Sequence, residues 1–164
     1  MDFSLHQEIP APVDAVGAAL VNPDFLVRMA ELPKLGSADV VSNERDGSSV
    51  ALQVRYLFQA DLSPKVTKFV DPDKLTWVED STIDLSTHET TCVIRPDNYA
   101  NMLEGRYSAV IAADGSGAVR TVTGVIKVHI PLLGGKVEKA IVGGLEENAD
   151  AQTTILTEFL SARP

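Results

Sequence analysis

The chain has 164 residues, 45% hydrophobic and 23% charged, which is typical of a globular protein and excludes a disordered tail or a coiled coil. Its 23 acidic and 14 basic residues give a formal net charge of −9, which disfavours binding to nucleic acids and to anionic membranes, because both require a basic surface. The length predicts a single domain over residues 1–164.

Cysteine content and hydropathy indicate where in the cell the protein is located. The single cysteine, Cys92, cannot form an internal disulfide, and the first residues have neither the basic nor the apolar region of a secretory signal. No stretch approaches 18 uninterrupted apolar residues, so we expect no stable membrane insertion. These features predict a cytoplasmic protein.

The N-terminal segment predicts one strand followed by two short helices. Phe3, Leu5 and Ile9 alternate with polar residues over positions 2–9, which is the period of a strand. Residues 13–20 have apolar side chains at helical spacing, and a second short helix follows up to Glu31.

The middle of the chain, from about residue 37 to 130, has the period of antiparallel strands. Six strands are predicted at 39–45, 48–59, 65–70, 74–80, 82–95 and 102–113, and a seventh follows the Gly-rich turn at 114–117. Asp46 and Gly47 predict the first hairpin turn. In the last strand one face carries Val122, Gly124, Ile126, Val128 and Ile130.

The C-terminal segment returns to the helical period after Pro131. Residues 133–160 predict one long helix, with a stripe formed by Val137, Ile141, Gly144, Asn148, Ile155 and Phe159. Such a helix is about 42 Å long at 1.5 Å per residue, so we expect it to cross the whole inner face of the sheet. Gly143 and Gly144 either leave room for a ligand or mark a kink or a tight contact.

Two segments resemble the START-like (SRPBCC) superfamily, which includes plant pollen allergens, polyketide cyclases and lipid-transfer domains. Residues 9–16, with Pro10 after the first strand, resemble its opening, and residues 124–141 resemble its last strand running into its long helix. The chain looks most similar to an uncharacterised bacterial branch. The resemblance implies an α+β helix-grip fold, in which a curved antiparallel sheet of about seven strands wraps around the C-terminal helix and encloses a cavity.

No catalytic constellation is visible in the sequence, and we expect no metal site and no cofactor. Cys92 alternates with Thr90 and Ile94, which is typical of a small packed residue rather than a nucleophile. His6, His88 and His129 are far apart and match no metal-ligand spacing. Whether the protein is an enzyme is left open by the sequence, with the balance against catalysis.

Ligand-binding candidates are the residues that the strand and helix periods place on the inner faces. They are Tyr56, Phe58, Trp77, Thr87, Glu89, Tyr107, Ile126, Val137, Ile141 and Gly144. The aromatic members are either ordinary core residues or part of a cavity wall. The assignment of Thr87 and Glu89 to the site holds only if their face of the predicted strand 82–95 points inward. In the alternative orientation, the inward-facing residues are Asp84, Ser86, His88 and Cys92.

Three functions are compatible with this pattern. The first is binding of a hydrophobic, lipid-like or polyketide-like small molecule between sheet and helix. The second is a cyclase or dehydratase acting on a polyketide-like substrate, with Glu89 or Tyr107 as acid or base. The third is a protein-interaction module, which an exposed apolar patch would indicate.

Overall fold

Seven antiparallel strands form one sheet in the computed structural model, which describes residues 1–59 and 61–162. The strands are β1 Asp2–Ile9, β2 Leu35–Asp46, β3 Ser49–Phe58, β4 Thr76–Asp84, β5 Glu89–Pro96, β6 Leu103–Asp114 and β7 Gly117–Val128. The helices are α1 Val13–Leu20, α2 Pro23–Leu26, α3 Pro64–Thr67 and α4 Gly134–Ser161, with 3-10 turns at Val27–Glu31 and Pro72–Lys74. This is the predicted α+β helix-grip architecture.

Consecutive strands from β2 to β7 pair antiparallel with one another, and β1 pairs with β7, so the strand order is β1-β7-β6-β5-β4-β3-β2. Gly47 and Gly115 have φ values of +63° and +61° in the β2–β3 and β6–β7 turns, a conformation that glycine adopts without steric penalty. Both hairpins are at the positions that the sequence predicted.

Helix α4 runs across the inner face of the sheet as one continuous helix of 28 residues, as predicted. Its C-terminal half packs with α1, α2 and β3 in the main core, where Leu156 is 1% exposed. Its N-terminal half packs against β7 through Val142. None of the helices in the described ranges is long and apolar enough to cross a bilayer.

The predicted strand at residues 65–70 is wrong. Pro64 begins the short helix α3, a position where the missing N–H of proline costs nothing. Val66 and Val70 are the buried residues of this segment, and their spacing of four is that of a helical turn rather than a strand.

The predicted strand at 82–95 is also wrong as one element, because a turn at residues 85–88 separates β4 from β5. Asp84 Oδ1 accepts hydrogen bonds from the backbone N–H groups of Ser86 and Thr87, which closes the turn. The four turn residues change the alternation, so Thr90, Cys92 and Ile94 of β5 face inward. Thr87 and Glu89 are therefore exposed, and their predicted inward orientation is wrong.

Candidate functional site

An apolar cavity of about 120 Å³ lies between the sheet and the N-terminal half of α4; we call it the first cavity. Six of the predicted residues line it: Phe58, Trp77, Ile126, Val137, Ile141 and Gly144. The two buried valines of the α3 segment, Val66 and Val70, contribute to its wall as well. The segment that the sequence assigned to a strand thus covers one side of this cavity.

Gly144 lies at the wall of the first cavity, and its backbone position accommodates a Cβ atom. A Cβ atom at this position would lie 3.4 Å from Lys34 Cγ and 3.6 Å from Phe58 Cε2, which are ordinary contacts. At Gly124, by contrast, a Cβ atom would clash with the backbone oxygen of Arg106. Gly124 is therefore required for close packing in the sheet, whereas Gly144 is not.

A second, more polar cavity of about 80 Å³ lies deeper in the protein, under α1 and α2. Tyr56 and Tyr107, both predicted as ligand-binding residues, line this second cavity rather than the first. Glu79 lines both cavities and therefore stands at their boundary. The predicted grouping of Tyr107 with Ile126 and Gly144 is thus split between two adjacent spaces.

Glu79 and Tyr107 form a buried hydrogen-bonded pair. The Tyr107 hydroxyl donates to Glu79 Oε2 at 3.0 Å. Burial raises the pKa of Glu79, and the hydrogen bond from Tyr107, the nearby indole of Trp77 and the charge of Arg120 oppose this rise. Burial likewise raises the pKa of Tyr107, and the Glu79 carboxyl adds to the effect. Burial therefore disfavours the charged form of the Glu79 carboxyl, which lines both cavities.

The Trp77 indole N–H is buried and has no partner with hydrogen-bond geometry among the described residues. A buried donor of this kind at a cavity wall is available to a ligand oxygen.

Arg120 and Gln7 link the sheet to α4. Arg120 Nη1 donates to Gln7 Oε1 at 2.8 Å, and Gln7 Nε2 donates to the Ala149 carbonyl at 3.0 Å and to Gln152 Oε1 at 3.0 Å. Gln7 is 2% exposed, and both the oxygen and the nitrogen of its side-chain amide are hydrogen-bonded. The arrangement positions the Arg120 guanidinium at the second cavity.

His88 closes the other end of the second cavity. Its Nε2 lies 3.0 Å from Asp14 Oδ1, while its Nδ1 is buried and has no hydrogen-bond partner among the described residues. In a neutral imidazole this contact places the proton on Nε2 and leaves Nδ1 as an acceptor.

Cys92 is a packed core residue, as the sequence predicted. It is 3% exposed, and burial raises the pKa of its thiol to about 12. A thiolate is the nucleophilic form of cysteine, so Cys92 is inert near neutral pH. Within residues 1–59 and 61–162, no group of three or more His, Cys, Asp or Glu side chains is arranged to hold a metal ion.

Sequence reasoning missed Glu79 and Arg120, although the strand period contained the signal. Glu79 follows Trp77 by two residues in β4, and Arg120 precedes Val122 by two in β7. Each therefore shares the inner face of its strand with a residue that was assigned to that face.

Comparison with solved structures shows the same fold in proteins of low sequence identity. TTHA0849 from Thermus thermophilus has a TM-score of 0.72 and 20% identity over 99% of this chain and 98% of that chain. The Zhui aromatase/cyclase from Streptomyces sp. R1128 has a TM-score of 0.66 and 12% identity over 99% and 94%. Ara h 8.0201 has a TM-score of 0.60 and 14% identity over 99% of each chain. These likenesses show that the chain shares the helix-grip fold of these proteins.

No curated protein sequence matches the chain significantly. A family profile, however, matches residues 4–160, which is nearly the whole sequence. The chain belongs to the family described as "Protein of unknown function (DUF2505)".

Proposed function

We propose that the protein binds an apolar or amphiphilic small molecule in the first cavity, between the sheet and α4. The observation that carries this proposal is a cavity lined almost entirely by apolar side chains, with the indole N–H of Trp77 and the carboxyl of Glu79 as its buried polar groups. Apolar walls with a few placed polar groups are the usual composition of small-molecule sites.

The volume of the cavity limits the size of the ligand. Sites for drug-sized molecules typically measure 300–1,000 Å³, whereas the first cavity measures about 120 Å³. The space suits a slender molecule or one chain of a larger amphiphile.

A pair of glycine substitutions in α4 tests this proposal. Gly144→Leu places a side chain into the first cavity, and Gly143→Leu is the matched control, because a Cβ atom at Gly143 meets nothing within 4 Å. Both changes should favour the helix by about 1 kcal/mol. In a titration with the neutral dye Nile red, we expect Gly144→Leu to weaken binding at least several-fold and Gly143→Leu to bind like the wild type.

Thermal melting of the same variants, measured beside dye binding, shows which result would contradict the proposal. If Gly144→Leu binds the dye as the wild type does and melts at a lower temperature, side chains already fill this space. The proposal then fails at this position. Native mass spectrometry of gently purified protein, with extraction of any bound molecule, would identify the natural ligand.

The cyclase or dehydratase function is a second candidate, favoured by one observation. Glu89 is exposed and is no longer a candidate acid, but the Tyr107–Glu79 pair places a carboxyl with a raised pKa beside both cavities. A protonated carboxyl is able to act as a general acid toward a leaving hydroxyl. Incubation of an extracted ligand with the protein should then yield a product lighter by one water, and Glu79→Gln should abolish the conversion.

The interaction-module function has no comparable support. The large apolar side chains that are exposed within the described ranges lie in different parts of the chain: Met1, Val27, Val41, Phe69, Val93, Val110 and Leu132. An interaction site normally requires such residues in one contiguous patch.

Other sequence-based assignments stay predictions. A cytoplasmic location is compatible with a free, buried cysteine, and the acidic charge disfavours a nucleic-acid partner. The single domain over residues 1–164 and the bacterial branch of the superfamily are proposals of the same standing.

A further inference from the structure

Two side chains with hydrogen-bond donors, Arg120 and Tyr56, line the second cavity. Among the described residues, the Arg120 guanidinium has no carboxylate within ion-pair distance, and its hydrogen bond goes to the neutral amide of Gln7. The Tyr56 hydroxyl lines the same cavity and forms no hydrogen bond to another described residue. Because interior polar groups are nearly always hydrogen-bonded, the remaining donor capacity of these two side chains favours a polar ligand group in this cavity.

Arg120 is the one lysine or arginine among the described residues that line the second cavity. Glu79, at the boundary with the first cavity, forms no ion pair with Arg120 among the described contacts, and burial disfavours its charged form. Asp84 also lines this cavity and keeps its negative charge, because hydrogen bonds from Ser86 and Thr87 lower its pKa, whereas Asp14 contacts His88. The guanidinium is therefore the positive group that is left for a ligand.

We propose that the second cavity is a carboxylate subsite, in which Arg120 and Tyr56 bind the head group of a carboxylic acid whose apolar chain lies in the first cavity. This assignment rests on the proposed function and deepens it by naming the ligand class. Guanidinium groups bind carboxylates with two parallel hydrogen bonds, and a tyrosine hydroxyl adds a third donor.

The dimensions of the two cavities are compatible with this arrangement. The second cavity measures about 80 Å³, which corresponds to two or three water molecules at about 30 Å³ each and is enough for one carboxylate. The net charge of −9 repels anions at long range, but this repulsion is screened beyond about 8 Å at physiological salt.

Two ligands with the same chain and different head groups test the carboxylate subsite. Octanoate and 1-octanol compete with Nile red at pH 7.5, where octanoate is ionised. We expect the wild type to bind octanoate about ten-fold more tightly than 1-octanol, because a charge-assisted bond to Arg120 is made by octanoate alone. Arg120→Gln should remove this preference and leave the affinity for 1-octanol within about two-fold.

Arg106→Gln is the matched control, since Arg106 is exposed on the outer face of β6, and it should keep the preference for octanoate. If Arg120→Gln does not fold, Tyr56→Phe, which removes only a hydroxyl, should reduce the preference several-fold. Equal affinities of the wild type for both ligands overturn the subsite and leave the apolar site standing. Failure of both ligands to displace bound dye also overturns the subsite, whereas failure of Nile red itself to bind contradicts the proposed function.

Discussion

Glu79 is the residue on which the interior chemistry depends. Its carboxyl accepts a hydrogen bond from Tyr107, and its side chain lines both cavities. A buried carboxylate without a cation in direct contact is costly, which is why burial raises its pKa. The folded protein therefore holds a proton on Glu79 at pH values where the unfolded chain has lost it.

This difference in proton binding predicts a pH-dependent stability. Below the ordinary carboxyl pKa of 4.5, both states are protonated and the contribution of Glu79 is fully present. As the pH rises from 4.5 through the raised pKa of the folded state, the unfolded chain binds fewer protons, so the free energy of unfolding falls. Glu79→Gln cannot titrate. We expect the wild type to lose stability relative to Glu79→Gln as the pH is raised from about 4.5 to about 7.5, measured by urea unfolding.

Glu146→Gln is the control for this experiment, because Glu146 is an exposed residue of α4. Its stability should run parallel to that of the wild type across the same pH range. If Glu79→Gln also runs parallel to the wild type, the carboxyl is ionised in both states, and it is not the buried acid that we describe.

At the scale of elements, α4 has two halves with different packing. Leu156, in the C-terminal half, is 1% exposed and lies in the main core. Ile141, in the N-terminal half, is half-buried and borders the first cavity. The same helix thus stabilises the fold at one end and encloses the candidate site at the other.

Alanine substitutions should separate the two halves. Leu156→Ala removes a fully packed side chain and should cost about 2–5 kcal/mol of unfolding free energy. Ile141→Ala enlarges a space that already exists, so we expect its cost to fall below this range. Chemical denaturation of both variants measures the difference, and an equal loss for the two would show that the first cavity is closed around Ile141 in solution.

The elements with strong periodicity were predictable from the sequence, and the irregular ones were not. Val50 to Phe58 on β3 repeat their pattern often enough to fix both type and face. The stripe of α4 fixed the helix but only part of its face, because the buried Val142 and Leu156 lie outside the predicted stripe. The α3 segment has a single turn, so Val66 and Val70 were assigned to a strand. The turn at 85–88 depends on one side chain, Asp84, bonding to the backbone. Neither feature has a period from which it can be recognised.

At the scale of the whole molecule, acidic charge surrounds an apolar interior. Basic residues of the outer sheet face are matched by nearby acids: Arg95 pairs with Asp80 at 3.0 Å, and Arg55 pairs with Asp97 at 2.9 Å. Arg106 and Lys127 share a shallow groove on this face with Glu104. The surface therefore offers no unopposed cluster of cations in this groove.

This charge distribution predicts that the protein does not bind polyanions. Retention of duplex DNA or of anionic vesicles requires several Lys or Arg side chains that displace counterions together, and a net charge of −9 opposes the approach of either surface. At about 150 mM salt we expect no shift of a duplex in gel electrophoresis and no co-sedimentation with phosphatidylglycerol vesicles. Replacing both Asp80 and Glu104 with lysine should create a basic groove with Arg95, Arg106 and Lys127, and so produce salt-sensitive binding as a positive control. Micromolar, salt-sensitive binding by the wild type would contradict the prediction and would direct attention to the outer face of the sheet.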